Sequence, residues 1–336
     1  MLIYLRLADE VIEVDKSNAP SWREMIHKLR ARRWNFIISP HQSPRTSMLV
    51  RSLNAERKIG YSGWLRNLIF TSRLNRSMDL PEALRQLELL VPLDHGVVAR
   101  GLQEFRAQQD AEGGQTSSGE LSPVPDWSAM EVPRLHQMRL SFLSGSDSEF
   151  TPRVRELLTQ YHLIPGKIAI LAPGSVWPTK MWTAKGFAGV GERLHSMGYQ
   201  ILLIGAPSEA EVCRVIQRQA GCDVIVLAGQ ITLVETLELL TASSLLISND
   251  SGAMHMAALA NIPTVSIFGP TVLELGYRPW QNFGTVVQIA RAELKCRPCG
   301  KHGSRRCPIG THECMERISG EQVVAEALRV LACAKG

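Results

Sequence analysis

Residues 248–262 read SNDSGAMHMAALANI and lie between the apolar run LLI, residues 245–247, and the segment PTVSIFGP. The apolar run predicts a parallel strand that is covered on both faces. Ser251 and Gly252 are typical of a helix start, because serine can cap a helix and glycine lets a ligand approach the backbone closely. The small and apolar residues after them predict a helix, which ends before Pro263. The stretch therefore predicts one strand–turn–helix–strand unit.

The turn of this unit is a candidate anion site. In open α/β sheets, ligands bind at the carboxyl ends of the strands. The predicted helix start offers free N–H groups and the positive end of a dipole, both of which suit a phosphate. His255 follows within about one turn of that start and can add a side-chain donor. The alternative is an ordinary crossover helix with a surface histidine, and these residues alone leave both interpretations open.

The composition is that of a globular protein with two domains. The chain has 336 residues, of which 45% are hydrophobic and 21% are charged, and these values are ordinary for soluble domains. The sequence has no apolar run of about eighteen residues and no signal-peptide pattern, so we expect a cytoplasmic protein. Seven cysteines, an odd number, argue against a disulfide framework.

Positive charge is concentrated in the first quarter of the chain. Between Arg23 and Arg76 there are twelve lysines and arginines against two acids, Glu24 and Glu56, a local net charge of +10 in a chain whose total is +5. A basic face suits an anionic partner such as a glycolipid or a nucleic acid; the alternative is a solvated surface that promotes solubility. No nucleic-acid-binding motif occurs and aromatic residues make up only 6%, so we expect no nucleic-acid partner.

We expect a first domain over residues 1–150 and a second over residues 151–318. In the first, residues 11–14 predict a strand, and residues 108–125, rich in Gln, Gly, Ser, Glu and Pro, predict a flexible insertion. In the second, strands and helices alternate, which predicts a doubly wound parallel sheet. Right-handed crossovers bring successive strand ends to one edge of such a sheet. Three turns are expected to meet there, and they contain Gly174 and Ser175, Gly205, and Asp250.

Two charged residues add candidates to this edge. Lys180 follows the first turn and can meet a diphosphate as a point charge. Glu209 lies four residues after Gly205, at the start of a predicted helix, where a carboxylate can accept hydrogen bonds from ribose hydroxyls. The alternatives are a solvated surface lysine and simple pairing of Glu209 with the helix dipole. Neither G-x-G-x-x-G nor G-x-x-x-x-G-K-[ST] occurs, which argues against a dehydrogenase or a P-loop enzyme.

Four segments of the second domain, APGSVWPTKMW, LLIGAPSEAE, LAGQITLVETLELL and ISNDSGAMHMAALANIPTVSIFGP, resemble the ADP-heptose:lipopolysaccharide heptosyltransferases. These enzymes belong to glycosyltransferase family 9 and have the α/β GT-B architecture, in which two Rossmann-like domains face each other across a cleft. The resemblance extends over residues 168–318, and HQSPRTSMLVRSLNAERKIGY resembles the acceptor segment of the first domain more loosely. In this architecture the terminal helix, predicted within residues 319–336, crosses back to the first domain.

The resemblance implies that the second domain binds a nucleotide-sugar, with ADP-heptose as the first choice, and that inverting transfer needs neither a metal ion nor another cofactor. It also implies that the first domain receives an anionic glycolipid acceptor, the inner core of lipopolysaccharide, with peripheral contact at the cytoplasmic face of the inner membrane. The family's donor contacts fall on residues that would line the phosphates (Gly174, Ser175, Lys180, Ser251, Gly252 and His255), the ribose (Glu209) and the sugar (Asp250).

The start of the chain departs from the family pattern. The family's first domain opens with a strand and a Gly-Asp turn, and the Asp of that turn is the proposed general base, whereas this sequence has no glycine before Gly60. The resemblance therefore implies that the first βαβ portion of the N-terminal domain is lacking. Asp9 and Asp15 lie outside the matching context, and His41 is either a substitute base or a polar loop residue. The catalytic residue stays unassigned.

Three functions are compatible with these observations. The principal hypothesis is a glycosyltransferase that transfers a heptose or a related sugar. The second is a catalytically weak nucleotide-sugar-binding protein, because a general base contributes roughly 10²- to 10⁴-fold in rate. The third is a GT-B nucleotide-sugar epimerase, against which the basic first domain argues, because a small free substrate does not need such a face.

A cysteine-rich segment, residues 296–314, follows the donor motifs, and its thiols are Cys296, Cys299, Cys307 and Cys314. A C-x-x-C pair followed by two further cysteines is compatible with a structural Zn²⁺ ion. His302 and His312 are further candidate ligands. The alternatives are a reduced loop that is merely packed and a redox-active pair of thiols. The spacing leaves all three interpretations open.

Overall fold

The computed structural model describes residues 1, 3–5, 8–15, 18–64, 66–77, 80, 82–96, 99, 119–120, 133–278, 284–289 and 293–334. The chain divides into two compact units, Leu2–Ala107 and Gln108–Gly336. The boundary expected from the sequence lay at residue 150, within what is here the second unit. The difference arises because the helix Pro133–Leu143 packs against the helix Leu233–Ala242 of that unit.

The first unit contains a parallel three-stranded sheet, and its strands are β1 (Arg33–Ser39), β2 (Asn54–Tyr61) and β3 (Ser72–Leu74), adjacent in that order. The α-helices with described bounds in this unit are α1 (Ala19–Arg30), α2 (Pro44–Ser52) and α3 (Glu82–Glu88). Polar side chains start the first two helices: Asn18 accepts from the N–H of Ser21 at 3.3 Å and Ser43 accepts from the N–H of Thr46 at 3.2 Å. These caps satisfy backbone donors that the helix leaves unpaired.

The strand predicted for residues 11–14 is wrong. These residues form no strand in the structure, and Val11 is 47% exposed. A short stretch rich in β-branched residues favours a strand but does not supply a neighbouring strand to pair with. Sequence periodicity alone therefore overestimates strand content here.

The second unit contains a seven-stranded sheet in the order β4-β10-β9-β8-β5-β6-β7. The strands are β4 (Gly119–Glu120), β5 (Ile168–Ala172), β6 (Gln200–Leu203), β7 (Val224–Val226), β8 (Leu245–Asn249), β9 (Thr264–Ile267) and β10 (Gly284–Val287). All pairs are parallel except that β4 pairs antiparallel with β10. The predicted parallel sheet is confirmed. Of the predicted insertion, residues 119–120 form β4, and the rest lies outside the described residues.

Eight helices of the second unit are described: α4 (Pro133–Leu143), α5 (Pro152–Gln160), α6 (Ala184–Ser196), α7 (Ala210–Gln219), α8 (Leu233–Ala242), α9 (Gly252–Leu259), α10 (Glu313–Glu316) and α11 (Gly320–Cys333). Capping boxes start α8 and α11, and Thr183 caps α6. The terminal helix α11, for which the resemblance implied a return to the first domain, packs within the second unit against α6, β9 and β10. Among the described residues, no helix combines the length and the apolar character that crossing a membrane would require.

The order of strands reverses at β5, which is central in the sheet. Leu171 of β5 is in register with Leu203 of β6 on one side and with Ile247 of β8 on the other. Both β5 and β8 are buried along their whole length, as their unbroken apolar runs require. At such a switch point, the turns that leave the strands diverge and open a crevice for ligands. The predicted donor residues follow β5, β6 and β8, at this crevice.

Candidate functional site

Lys180 and Asp250 form a buried ion pair at the switch point. Lys180 ends a short 3₁₀ turn, Pro178–Lys180, and Asp250 is the first residue after β8. The Lys180 Nζ lies 2.6 Å from Asp250 Oδ2, and the two side chains are 8% and 5% exposed. Two charges so far from bulk water persist only when each is paired. Sequence reasoning assigned both residues to the donor site but did not predict that they touch.

The carboxylate of Asp250 has a second donor. Thr271, which is fully buried after β9, donates its hydroxyl to the same Oδ2 oxygen at 2.6 Å. The backbone N–H of Asp250 donates to the carbonyl of Ile267 at 3.0 Å. Both side-chain bonds reach Oδ2, so that within the described part of the chain Oδ1 has no hydrogen-bond partner. One oxygen fixes the carboxylate and the other is available to a ligand hydroxyl.

Asn249 connects the turns that follow two strands. Its side-chain amide donates to the carbonyl of Pro173 at 2.7 Å, and its Oδ1 accepts from the backbone N–H of Trp182 at 3.0 Å. The residue is fully buried, and a buried amide needs such partners. The same side chain therefore fixes the turn after β5 and the segment that carries Lys180. Sequence reasoning missed Asn249; its signal was a polar amide at the end of an otherwise apolar strand.

Gly174 and Glu209 are in close contact across the ends of β5 and β6. A Cβ atom at residue 174 would overlap the Glu209 carboxylate, so this approach requires glycine. Glu209 Oε2 accepts from the N–H of Ala206 at 2.7 Å, which is the helix-start pairing that the sequence left open as an alternative. Ser175, in the turn beside Gly174, accepts from the N–H of Trp177 at 3.4 Å through its Oγ. These contacts place the Glu209 carboxylate against Gly174, in the turn that follows β5.

The start of α9 presents backbone donors at the same edge. Ser251 occupies the N-cap position, but its side chain makes no cap hydrogen bond among the described residues. A Cβ at Gly252 would meet nothing within 4 Å in the described structure, so the backbone there is open. Uncapped N–H groups and the positive end of the helix dipole favour an anion at this position.

His255 lies one turn into α9, with its ring still exposed on one side. The protein packed around the remainder of the ring lowers the pKa of His255 below its usual 6.5; the Asp250 carboxylate opposes this effect and Lys180 adds to it. A lowered pKa leaves the imidazole neutral near pH 7, with one N–H to donate. The structure therefore brings His255 within electrostatic reach of the ion pair.

An aromatic ring that sequence reasoning did not single out lies next to Lys180. The Lys180 Nζ lies 5.3 Å from the centroid of the Tyr277 ring, within the range of a cation–π contact. The Tyr277 hydroxyl and His302 Nδ1 are 3.1 Å apart. Tyr277 is separated from Lys180 by most of the second half of the chain, so no local motif could have connected them.

The cysteine-rich segment packs beside this site with its thiols unpaired. In the described ranges, no group of three His, Cys, Asp or Glu side chains is arranged to hold a metal ion. The two histidines proposed as further ligands have other contacts: His302 with Tyr277, and His312 Nε2 with the carbonyl of Thr179 at 2.8 Å. In the structure, the segment is thus a packed loop whose four thiols are free.

The three residues considered as a catalytic base lie in the first unit. His41 Nδ1 lies 3.1 Å from the hydroxyls of both Ser43 and Thr46, at the start of α2, as a polar loop residue would. Asp9 is exposed, and the carbonyl of Asp15 accepts from the N–H of Asn18 at 3.1 Å. None of these contacts assigns a catalytic role, and the base stays unassigned.

The model of the family described as glycosyltransferase family 9 (heptosyltransferase) matches residues 128–307, which is more than half of the chain. This chain belongs to that family. A relative, lipooligosaccharide heptosyltransferase 2 of Campylobacter jejuni, is 34% identical over 170 residues, which are 49% of this chain and 51% of the relative. The chain thus spans about half the length of the curated relative it matches there.

Two solved structures share the fold over most of the chain. The family 9 glycosyl transferase of Veillonella parvula superposes with a TM-score of 0.68 at 22% identity, covering 98% of this chain and 86% of that one. The Escherichia coli heptosyltransferase WaaC with ADP superposes with a TM-score of 0.58 at 16% identity, covering 93% of this chain and 79% of that one. The two-unit, Rossmann-like GT-B fold implied by the resemblance is confirmed.

Proposed function

We propose that this chain is a heptosyltransferase, which transfers a heptose from ADP-heptose to the inner core of lipopolysaccharide. The observation that carries the proposal is the buried Lys180–Asp250 pair at the switch point, next to the uncapped start of α9. Membership of glycosyltransferase family 9 supports it, as do the name of the Campylobacter jejuni relative and the ADP held by the Escherichia coli enzyme.

In this proposal the diphosphate of the donor lies between Lys180 and the start of α9. Lys180 contributes a full positive charge, and the backbone N–H groups at Ser251 and Gly252 contribute hydrogen bonds along the helix dipole. His255, neutral near pH 7, donates one N–H from the first turn. The turn at Gly174 and Ser175 approaches the phosphates from the neighbouring strand.

The sugar and the ribose would meet the two carboxylates. Asp250 is held through Oδ2 by Lys180 and Thr271, which points its other oxygen to a hydroxyl of the heptose. Glu209 lies above Gly174, where a carboxylate can accept from the ribose hydroxyls once the adenosine is in place. Both roles rest on acceptor oxygens in fixed positions.

The chemistry is inverting displacement at the anomeric carbon of the donor. The acceptor hydroxyl attacks and gives up its proton to the base that stays unassigned, the bond between the anomeric carbon and the diphosphate oxygen breaks, and ADP leaves. Negative charge develops on the leaving diphosphate in the transition state, and fixed positive groups next to it lower the barrier. Lys180 and the positive end of the α9 dipole supply such groups, and the neutral His255 adds one N–H donor, without a requirement for a metal ion in this proposal.

The acceptor would be an anionic glycolipid that meets the basic first unit. Twelve of the lysines and arginines lie between Arg23 and Arg76 against two acids, and a region with an excess of positive charge attracts phosphorylated sugars. Trp64 and Leu68 of this unit are 89% and 82% exposed. Exposed tryptophan beside cationic residues suits the headgroup region of a membrane. We therefore place the chain in the cytoplasm, in peripheral contact with the inner membrane.

Calorimetric titration with ADP, UDP and ADP-heptose, followed by an assay of ADP release with a heptose-free inner-core acceptor, tests this function. Binding of ADP and ADP-heptose but not UDP, with acceptor-dependent ADP release, is the expected result. Donor binding without release would instead indicate the catalytically weak binding protein. Conversion of free nucleotide-sugar without acceptor would indicate the epimerase, and absence of binding to all three ligands would overturn the proposal.

A further inference from the structure

The cysteine-rich segment makes a group of hydrogen bonds to one residue of the donor site, Thr179. The Thr179 hydroxyl donates to the carbonyl of Ser304 at 2.7 Å and accepts from the N–H of Ser304 at 2.8 Å. The Thr179 N–H donates to the Ser304 carbonyl at 3.3 Å. From the far end of the segment, His312 Nε2 donates to the Thr179 carbonyl at 2.8 Å. We call these four bonds the Thr179 clamp.

The clamp lies directly beside Lys180, because Thr179 and Lys180 are consecutive residues of the same 3₁₀ turn. Both residues are buried, at 5% and 6% exposure. Gly303 packs against them so closely that a Cβ there would lie 3.2 Å from Thr179 Oγ1 and 3.3 Å from Lys180 Cγ. The turn has only three residues, so the backbone position of Thr179 determines where the Lys180 side chain begins.

The same segment also supports the partner of Lys180. Arg297 is buried and donates through Nη2 to the carbonyl of Thr271 at 2.8 Å, while Thr271 holds Asp250 through its hydroxyl. Arg297 donates further to the carbonyl of Ile289 and to Gln288. Residues of one loop thus contact the residue next to Lys180 and the residue that holds Asp250.

We propose that the cysteine-rich segment positions Lys180 for the donor through the Thr179 clamp, so that Thr179 and His312 are positioning residues of the donor site. Neither touches the donor in this inference; each fixes the turn from which Lys180 reaches the diphosphate. The inference rests on the proposed function, because it gives the segment a role in binding that donor. It assigns the segment a purpose that does not depend on a metal ion.

Two matched pairs of variants test this inference. Thr179→Val removes the hydroxyl and keeps the shape, whereas Thr179→Ser keeps the hydroxyl. His312→Asn removes the bond to Thr179, and His162→Asn makes the same change at a remote site. Both histidines have a positive φ, 53° and 48°, which asparagine tolerates. The variant His162→Asn therefore shows how a histidine-to-asparagine change at positive φ affects the protein when no bond to Thr179 is lost.

Two quantities are measured for each variant: the dissociation constant of ADP and the midpoint temperature of thermal unfolding. We expect Thr179→Val, which removes two hydrogen bonds, and His312→Asn, which removes one, to weaken ADP binding about three- to tenfold. Thr179→Ser and His162→Asn should bind as the unmodified chain does. In a Lys180→Ala background, Thr179→Val should change the ADP affinity by less than about twofold, because a positioning residue acts only through the group it positions.

Equal ADP affinity of Thr179→Val and Thr179→Ser would overturn the inference while the proposed function stands. A loss from Thr179→Val that persists in full in the Lys180→Ala background would also overturn it, because the effect would then not pass through Lys180. If the unmodified chain binds no ADP, the proposed function fails first and the inference falls with it. The ADP affinity of the unmodified chain distinguishes the two failures.

Discussion

A Cβ atom at Gly174 would lie 2.0 Å from Cδ of Glu209 and within 2.3 Å of both of its carboxylate oxygens. The two residues follow neighbouring strands, β5 and β6, so the contact depends on the register of the sheet. The group in the way is the end of a flexible side chain. A larger residue at position 174 can therefore be accommodated by movement of Glu209, without a shift of the backbone.

Gly174→Ala should accordingly displace Glu209 and weaken the binding of ADP by about tenfold, ~1.4 kcal/mol. The free energy of unfolding should change by less than about 1 kcal/mol, because only a side-chain end moves. Calorimetry and urea denaturation measure the two quantities. Glu209→Ala alone should weaken ADP similarly, and the double variant should bind no more weakly than either single variant. Additive losses would contradict the displacement of Glu209.

Lys180→Ala and Asp250→Ala should each weaken the binding of ADP by tenfold or more, at least ~1.4 kcal/mol. Each also leaves a buried charge without its partner, which costs about 3–5 kcal/mol of stability. The double variant Lys180→Met/Asp250→Leu should recover much of that stability but none of the affinity. Lys167→Ala, at the opposite end of β5, is the control and should leave both the ADP affinity and the free energy of unfolding unchanged. Unchanged ADP affinity in both single variants would remove the assignment of the site.

The lowered pKa of His255 predicts how stability depends on pH. The unfolded chain takes up a proton on this histidine near pH 6.5, while the folded protein takes it up only at lower pH. Between those two values the unfolded state binds more protons, so the free energy of unfolding falls as the pH falls below about 6.5. We expect the free energy of unfolding of His255→Gln, measured by urea denaturation, to fall less between pH 7 and pH 5.5 than that of the unmodified chain. Equal losses in both proteins would contradict the lowered pKa of His255.

Two half-buried thiols of the cysteine-rich segment should differ in reactivity. Burial tends to raise the pKa of Cys307, but backbone N–H groups of residues 309–312, chiefly His312, lower it overall. Burial and the neighbouring thiols raise the pKa of Cys299. Because the thiolate is the reactive form, iodoacetamide at pH 7.5 should label Cys307 before Cys299, as mass spectrometry of the peptides can show.

The buried cysteines provide the internal reference for this labelling. Burial raises the pKa of Cys213 to about 12 and that of Cys314 to about 11. Both should remain unlabelled in the folded protein and react only after denaturation. Labelling of Cys314 as fast as Cys307 in the folded state would contradict the packing of the loop.

Much of the second unit could be predicted from local patterns. Unbroken apolar runs identified β5 and β8, and the Asn-Asp-Ser-Gly turn identified the start of α9. The predicted donor residues Lys180 and Asp250 lie together, although no local pattern indicated their ion pair. A contact between residues of different turns depends on the strand order, which periodicity does not report.

The residues that support the site were harder to predict. Asn249, Thr271 and Tyr277 have no motif of their own, and their roles arise from bonds to distant parts of the chain. The cysteine spacing left a metal site, a packed loop and a redox-active pair open, and it gave no indication of the bonds from His312 and Ser304 to Thr179. Spacing reports which ligands are available, but the fold decides where they point.

The ion pair with Asp250 means that Lys180 has a counter-ion within the protein itself. An incoming anion meets an ammonium whose charge is already partly offset by the Asp250 carboxylate, so its gain from Lys180 alone is reduced. A small anion such as chloride gains little, because it reaches Lys180 alone. In the proposed binding mode, a diphosphate also reaches the start of α9 and gains more. The pair thus selects ligands by the number of charges they present, before any contact with the nucleoside forms.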